Sequence, residues 1–242
     1  MSAYQTLNEE SFNKLPVYRE LWSFVKTAHG TQRRKTEMSF LFIPYYFHPL
    51  KVLELVLNAQ MRPVDQSLND PKNLPLHAGA LLHDVMEDTS FNTISKLADA
   101  LRPFMPSHHL DEVIDITAEL TNPFGLTTEN KKQWQVNHAE QMPFKAKLIK
   151  MADQISNIYD TYHLPQPWDF EKKCCYLDKA MAVHRACLKG TENCPEMRSA
   201  FEVMDEIGSR IYLKAIYNFR IRHNQSNDFF RNVCLKGAAK TR

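Results

Sequence analysis

The stretch LHAGALLHDVMEDT, residues 76–89, decides the fold. From Leu76 to Met86 nearly every position is apolar, apart from its two histidines and Asp84. A helix that apolar on all sides has no water-facing stripe, so it is expected at the centre of a helical protein. A charged aspartate there is costly unless it is paired or metal-bound. Glu87 and Asp88 follow His83 and Asp84 by one helical turn, and positions i and i+4 share a face. Three carboxylates and an imidazole therefore gather at one helix end, a set that a cation would organise. The His83-Asp84 dipeptide alone also reads as a capped helix end with a satisfied histidine.

Helical periodicity extends outward from this stretch. Val17–Ala28 carries Leu21, Phe24, Val25 and Ala28 on one face, and Pro49–Leu57 turns Leu50, Leu53, Val56 and Leu57 inward. Asp88-Thr89-Ser90 offers caps for a helix through Leu101, which Pro103 and Pro106 end. Further helices are predicted at Leu110–Leu120, Glu129–Gln141, Phe144–Tyr159, Phe170–Lys189 and Glu196–Ile221. Thr121–Thr128 reads as a loop and His163–Trp168, with two prolines, as a turn. Phe40–Phe47 is the nearest approach to a strand, and Pro44 weakens it. With only six glycines, the glycine-rich phosphate loops of Rossmann and P-loop enzymes are missing. The expected fold is all-α.

A second apolar helix repeats the anomaly of the first. In KLIKMADQISNIYD, residues 147–160, Asp153 interrupts the apolar run and Asn157 lies one turn later. A salt bridge to a lysine or arginine is the competing explanation for Asp153. His48, followed by Pro49, is the fourth candidate, although alone it reads as an ordinary histidine. Two imidazoles and two carboxylates suit Mn, Fe or Zn better than Ca or Mg. Such a metal would hold water and a phosphate oxygen at its open positions. Arg33-Arg34-Lys35 can hold phosphates, arginine bidentately. In isolation those three cations fit a solvated loop.

Composition sets the outer bounds. The chain has 242 residues, 43% hydrophobic and 24% charged, with a formal net charge of +2, so any anion site has to be local. Five scattered cysteines do not form a disulfide framework and read as reduced thiols. The N-terminus has no signal-peptide shape and no apolar run reaches membrane-spanning length, so a cytoplasmic protein without membrane contact is expected. Residues 220–242 carry six Lys or Arg against one Asp; a solvated tail is the expectation, RNA or phosphate contact the alternative.

Taken in order, AHGTQRRK (28–35), PYYFHPLKV (44–52), ALLHDVMEDT (80–89) and IKMADQISNI (149–158) resemble the hydrolase domain of the RelA/SpoT family. The likeness is strongest to its single-domain members, the small alarmone hydrolases similar to the metazoan SpoT homologue. Trp168, Tyr176 and the LKGTE turn at 188–192 also look like the family. The resemblance covers roughly residues 18–205. It implies an HD-domain multi-helix bundle with a central metal site, an N-terminal extension (1–17), the hydrolase domain (18–205), and a C-terminal helix and basic tail (206–242). No synthetase or regulatory domain is expected.

The resemblance further implies that His48, His83, Asp84 and Asp153 hold Mn2+, and that Glu87 and Asp88 position or deprotonate the attacking water. Arg34 and Lys35 would lie by the nucleotide phosphates and Asn157 by the ribose, with Tyr159 and Asp160 as further lining; His29 would be structural. The implied reaction removes the 3′-pyrophosphate of ppGpp or pppGpp, giving GDP or GTP. Three departures bear on substrate choice: Thr31 replaces the motif's glycine, Gln154 replaces an arginine, and TEMSFLFI (36–43) lengthens the gap before PYYFHP. The alternatives are an HD phosphohydrolase acting on ppApp, NADPH or pyrophosphorylated tRNA, or a catalytically silent nucleotide-binding regulator. Pairing with a toxin synthetase is a further possible partnership.

Overall fold

The structure, a computed structural model, describes residues 7, 10–34, 42–164 and 168–238, without the side chains of 128, 129 and those from 222 onward. Its helices are α1 (Glu10–Asn13), α2 (Pro16–His29), α3 (Phe47–Ala59), α4 (Val64–Asn69), α5 (Leu74–Leu82) and α6 (Val85–Asp88). They continue with α7 (Ile94–Leu101), α8 (Ser107–Leu120), α9 (Thr128–Ala139), α10 (Phe144–His163), α11 (Phe170–Leu188) and α12 (Arg198–Ala238). No strand forms among the described residues. The all-α expectation holds.

α10 is the hub, packing against α11, α12, α3, α5 and α8. Its run from Ala146 to Ser156 is buried on every side. All nine residues of α5 are buried, as a helix without a polar stripe requires. Gly79 marks where α5 crosses α8 and α10: a Cβ there would sit 2.5 Å from Ile116 Cγ2 and 3.0 Å from Ile149 Cδ1. A smaller apolar cluster, including Ile158, Met181 and Phe219, joins α10, α11 and α12. These contacts fix α3, α5 and α10 against one another, and those helices carry the site.

Four local expectations are corrected. The run Leu76–Met86 is not one helix: α5 stops at Leu82, the backbone turns at His83 and Asp84, and α6 begins at Val85. Asp84 takes φ −103° and ψ −4°, a conformation that re-aims the chain and presents both side chains at the corner. The cap of α7 is Thr93, whose hydroxyl accepts from the Lys96 N–H, and not Asp88-Thr89-Ser90. The last helix runs unbroken to Ala238, well past Ile221.

Finally, the Phe40–Phe47 strand reduces to one antiparallel bridge between Arg33 and Pro44, with Arg34 N–H donating to Ile43 O and Tyr45 N–H to Gln32 O. That short clasp sets the basic motif beside the start of α3. Lys35 and residues 36–41 lie outside the described residues, as does Pro165–Pro167 of the expected turn.

Candidate active site

Three backbone segments deliver four side chains to one point. His48 sits in the first turn of α3, where the following Pro49 costs no helical hydrogen bond. His83 and Asp84 occupy the corner between α5 and α6, and Asp153 projects from the buried middle of α10. His48 Nε2 lies 3.3 Å from His83 Nε2, 3.5 Å from Asp84 Oδ2 and 3.3 Å from Asp153 Oδ1. His83 Nε2 lies 3.0 Å from Asp84 Oδ2 and 3.8 Å from Asp153 Oδ1.

The far side of each ring explains why the Nε2 atoms face inward. His83 Nδ1 is 2.9 Å from the Ala80 carbonyl, which can only accept, so Nδ1 carries the proton. His48 Nδ1 is 3.0 Å from the Ser156 hydroxyl, which can accept in the same way. Two imidazole nitrogens and two carboxylates thus converge in a buried space. Such outer hydrogen bonds are what orient metal-ligating histidines.

The electrostatics fit a cation. Burial opposes a charge on His83, yet Asp84 beside it carries the ring up to about 9. Burial and Arg34 push His48 below the ordinary imidazole range. Burial would raise Asp84 and Asp153, but His83 at the first and Lys150 at the second hold them below the usual carboxylate range. Of the two imidazoles, only His83 is held above the ordinary range. A divalent cation at the same point would be shared by all four, and His48, His83 and Asp84 have donor atoms within 4.8 Å of one another. Asp153 is tied further: its Oδ2 accepts from Lys150 (3.2 Å) and Gln154 (2.8 Å), and its Oδ1 from Asn157 (2.6 Å). The competing salt-bridge explanation is therefore realised too, by Lys150, alongside the convergence on the histidines.

Glu87 and Asp88 separate in space. Glu87 turns toward the loop before α9: one oxygen meets Lys131 Nζ and the other accepts from the Asn122 side chain, which in turn accepts from Gln135 at 2.9 Å. Asp88 faces a cleft. Burial, then Asp84, raise its carboxyl above the usual range, while Tyr45 opposes the shift. Tyr45 also donates to Asp84 Oδ2 at 2.7 Å. Gln32 donates to the Asp88 carbonyl at 2.5 Å and meets His29 Nδ1 at 2.9 Å, so buried His29 braces the basic motif.

The cleft beside Asp88 measures about 280 Å³ and is bounded by Arg34, Tyr45, Asn157, Asp160, Trp168 and Tyr176, among others. Arg34 donates to Asp160 and, at 3.0 Å, to Asn157 Oδ1, with its guanidinium 5.4 Å from the Tyr45 ring centre. Burial works against the Arg34 charge, and Asp160, joined by Tyr45 and Asp84, outweighs it. Trp168 and Tyr176 stand with ring centres 5.0 Å apart. Tyr159 is partly exposed outside the cleft, with Lys51 over its ring. Periodicity did not single out Tyr45, Ser156, Lys150, Asn122 or Lys131. Of these, Lys150 was signalled by its place one turn before Asp153, and Tyr45 by its place three residues before His48.

No family model matches the chain. The guanosine-3′,5′-bis(diphosphate) 3′-pyrophosphohydrolase MESH1 of Xenopus tropicalis is 29% identical over 188 residues, 77% of this chain and 93% of its own. MESH1 of Drosophila melanogaster is 30% identical over 169 residues, covering 69% and 82%. Human MESH1 is 27% identical over 173 residues, covering 71% and 84%. A solved structure described as "A metazoan ortholog of SpoT hydrolyzes ppGpp and plays a role in starvation responses" has the same fold, with a TM-score of 0.60 and 24% identity over 80% of this chain and 94% of that one. On these similarities the chain belongs to the MESH1 family.

Proposed function

We propose that the chain is a metal-dependent (p)ppGpp 3′-pyrophosphohydrolase. One observation carries the reading: the two inward Nε2 atoms and the Asp84 and Asp153 carboxylates meet beside a cleft that offers Arg34, Asn157 and an aromatic pair. The relatives named for this reaction support it. The hydrolase unit is taken as residues 18–205, with 1–17 and 206–242 outside it, although α12 runs on through 206 and packs Ala215 and Phe219 against α10 and α11.

His48, His83, Asp84 and Asp153 would hold the cation, of the Mn, Fe or Zn class by the donor set and Mn2+ by the family resemblance, which when bound supplies charge neutralisation at the phosphate and acidifies water. The chain's own groups do the rest. Arg34 binds phosphate oxygens through the guanidinium edge that Asp160 leaves free, Lys35 adds a second charge, and Asn157 orients the ribose. Trp168 gives the base an apolar, flat surface. Asp88 takes a proton from the attacking water, and its raised pKa suits a base working near neutrality. Glu87, held by Lys131 and Asn122, fixes the short α6 and so the place of Asp88.

The water oxygen bonds to the phosphorus attached to O3′, the P–O3′ bond breaks, and O3′ leaves and takes a proton from solvent. The products are pyrophosphate and GDP or GTP. Among the described residues no helix is long and apolar enough to cross a membrane; a cytoplasmic site of action is part of the proposal. The test is product analysis on ppGpp, pppGpp, ppApp, NADPH and pyrophosphorylated tRNA, with Mn2+ and with chelator. Release of pyrophosphate from either guanosine substrate only with metal supports the reading. No turnover of both would sink it.

A further inference from the structure

Three lysines stand around Asp153 and Glu87, and two are already committed. Lys150 is paired with Asp153, and Lys131 with Glu87. Lys132, in the first turns of α9, has no ion pair to a described carboxylate. Its ammonium lies 5.4 Å from the centre of the Tyr176 ring, and Tyr176 lines the cleft. The charged groups that act on it are Lys150, Asp153, Lys131 and Glu87, the second tier of the metal site.

A partly buried ammonium set over an aromatic face, without a described ion pair, is short of hydrogen-bond acceptors, since it carries three donors. Burial, followed by Lys150, lowers its pKa. A cation in that position gains from an anion that arrives with the substrate, because a charge-assisted hydrogen bond then replaces lost hydration.

We propose that Lys132 binds the distal phosphate of the substrate's 3′-diphosphate, the phosphate that departs as the far end of pyrophosphate. The assignment rests on the proposed reaction. In that reaction the phosphate bonded to O3′ has to meet the four-residue cluster, and Arg34 already has one guanidinium edge committed to Asp160. The distal phosphate, one P–O–P bridge further on, then needs a second cation, and Lys132 stands against Tyr176 of the same cleft, within electrostatic reach of Asp153 and Glu87.

The probe is inorganic pyrophosphate, titrated calorimetrically into the Mn2+-loaded full chain, with GDP titrated in parallel. Lys132→Met should weaken pyrophosphate binding at least tenfold and GDP binding less than twofold, and Lys132→Arg should stay within about threefold of wild type. Lys132→Gln serves as a second neutral variant should the methionine variant misfold by circular dichroism. For turnover, the neutral variants should raise KM for ppGpp with little change in kcat. Unchanged pyrophosphate affinity in the folded neutral variants, or equal loss for pyrophosphate and GDP, overturns the assignment. If wild type binds pyrophosphate through Lys132 but leaves both guanosine substrates intact, the phosphate site stands and the proposed reaction falls.

Discussion

Arg34 and Asp160 form a forked contact: Nε and a terminal nitrogen of the guanidinium both donate to the same carboxylate oxygen, Oδ2, at 2.9 and 2.5 Å. The fork fixes the plane of the guanidinium, and the same terminal nitrogen also reaches Asn157. Asp160 therefore acts as a splint. It spends one edge of Arg34 to aim the other.

That geometry makes the proposed phosphate contact depend on shape as well as charge. Arg34→Ala should raise KM for the nucleotide roughly tenfold to a hundredfold, since hydrogen bonds to charged groups contribute about 1.5–3 kcal/mol. Arg34→Lys should recover only a small part, because an ammonium cannot reproduce the fork. Steady-state kinetics on both variants checks this; a lysine variant equal to wild type would refute the splint.

Ser156 is placed to tune the metal without touching it. Its hydroxyl is the partner of His48 Nδ1 at 3.0 Å, in a fully buried setting. Ser156→Ala should weaken metal affinity about 10–100-fold while leaving the fold intact. Competition against a chelating dye measures it, and excess Mn2+ should restore activity. A variant with wild-type affinity would remove Ser156 from the site.

Away from the site, His77 predicts a pH-dependent stability. Its Nδ1 accepts from the Tyr18 hydroxyl at 2.8 Å and its Nε2 faces Gln60 Oε1 at 3.0 Å, an arrangement for the neutral ring. Burial pushes its pKa down to about 3. Unfolded His77 takes a proton near pH 6.5 and the folded ring refuses it, so its contribution is complete above 6.5 and lost as pH falls from there toward 3. The loss is about 1.4 kcal/mol per pH unit. Urea titrations at pH 7.5 and 5.5 should show a stability difference between wild type and His77→Gln that narrows by roughly that amount; an equal gap at both pH values contradicts the argument.

Gly79 gives a purely steric expectation. With Ile116 Cγ2 at 2.5 Å from a built Cβ, Gly79→Ala should force α5 and α8 apart and cost about 1–3 kcal/mol. Thermal denaturation reports it. Because α5 leads directly into His83, metal affinity should fall in the same variant.

The sequence was legible wherever burial imposes a period. α2, α3, α8, α10 and α11 follow their apolar faces to within a few residues. The turn at His83 and Asp84 was hidden because the apolar run continues across it and neither Gly nor Pro marks it. The cap of α7 was misplaced because Asp88, Thr89 and Ser90 have capping chemistry that is used elsewhere: Asp88 faces the cleft and the Thr89 hydroxyl donates back to the Val85 carbonyl at 2.7 Å. The partners of Glu87 could not be read at all. Asn122 lies 35 residues away in a loop and Lys131 44 residues away on a polar helix, and no periodic signal links such positions.

The corner at His83 and Asp84 also has a thermodynamic consequence. His48 and His83 stand 35 residues apart in the chain, and His48 and Ser156 108 apart, so the cluster exists only when α3, α5 and α10 are docked together. The unfolded chain has no comparable site. A cation bound there is a ligand of the native state alone, and each tenfold rise in its free concentration above the dissociation constant adds about 1.4 kcal/mol to the stability of the whole bundle. Cellular metal supply would thereby set how long the protein survives as well as how fast it works.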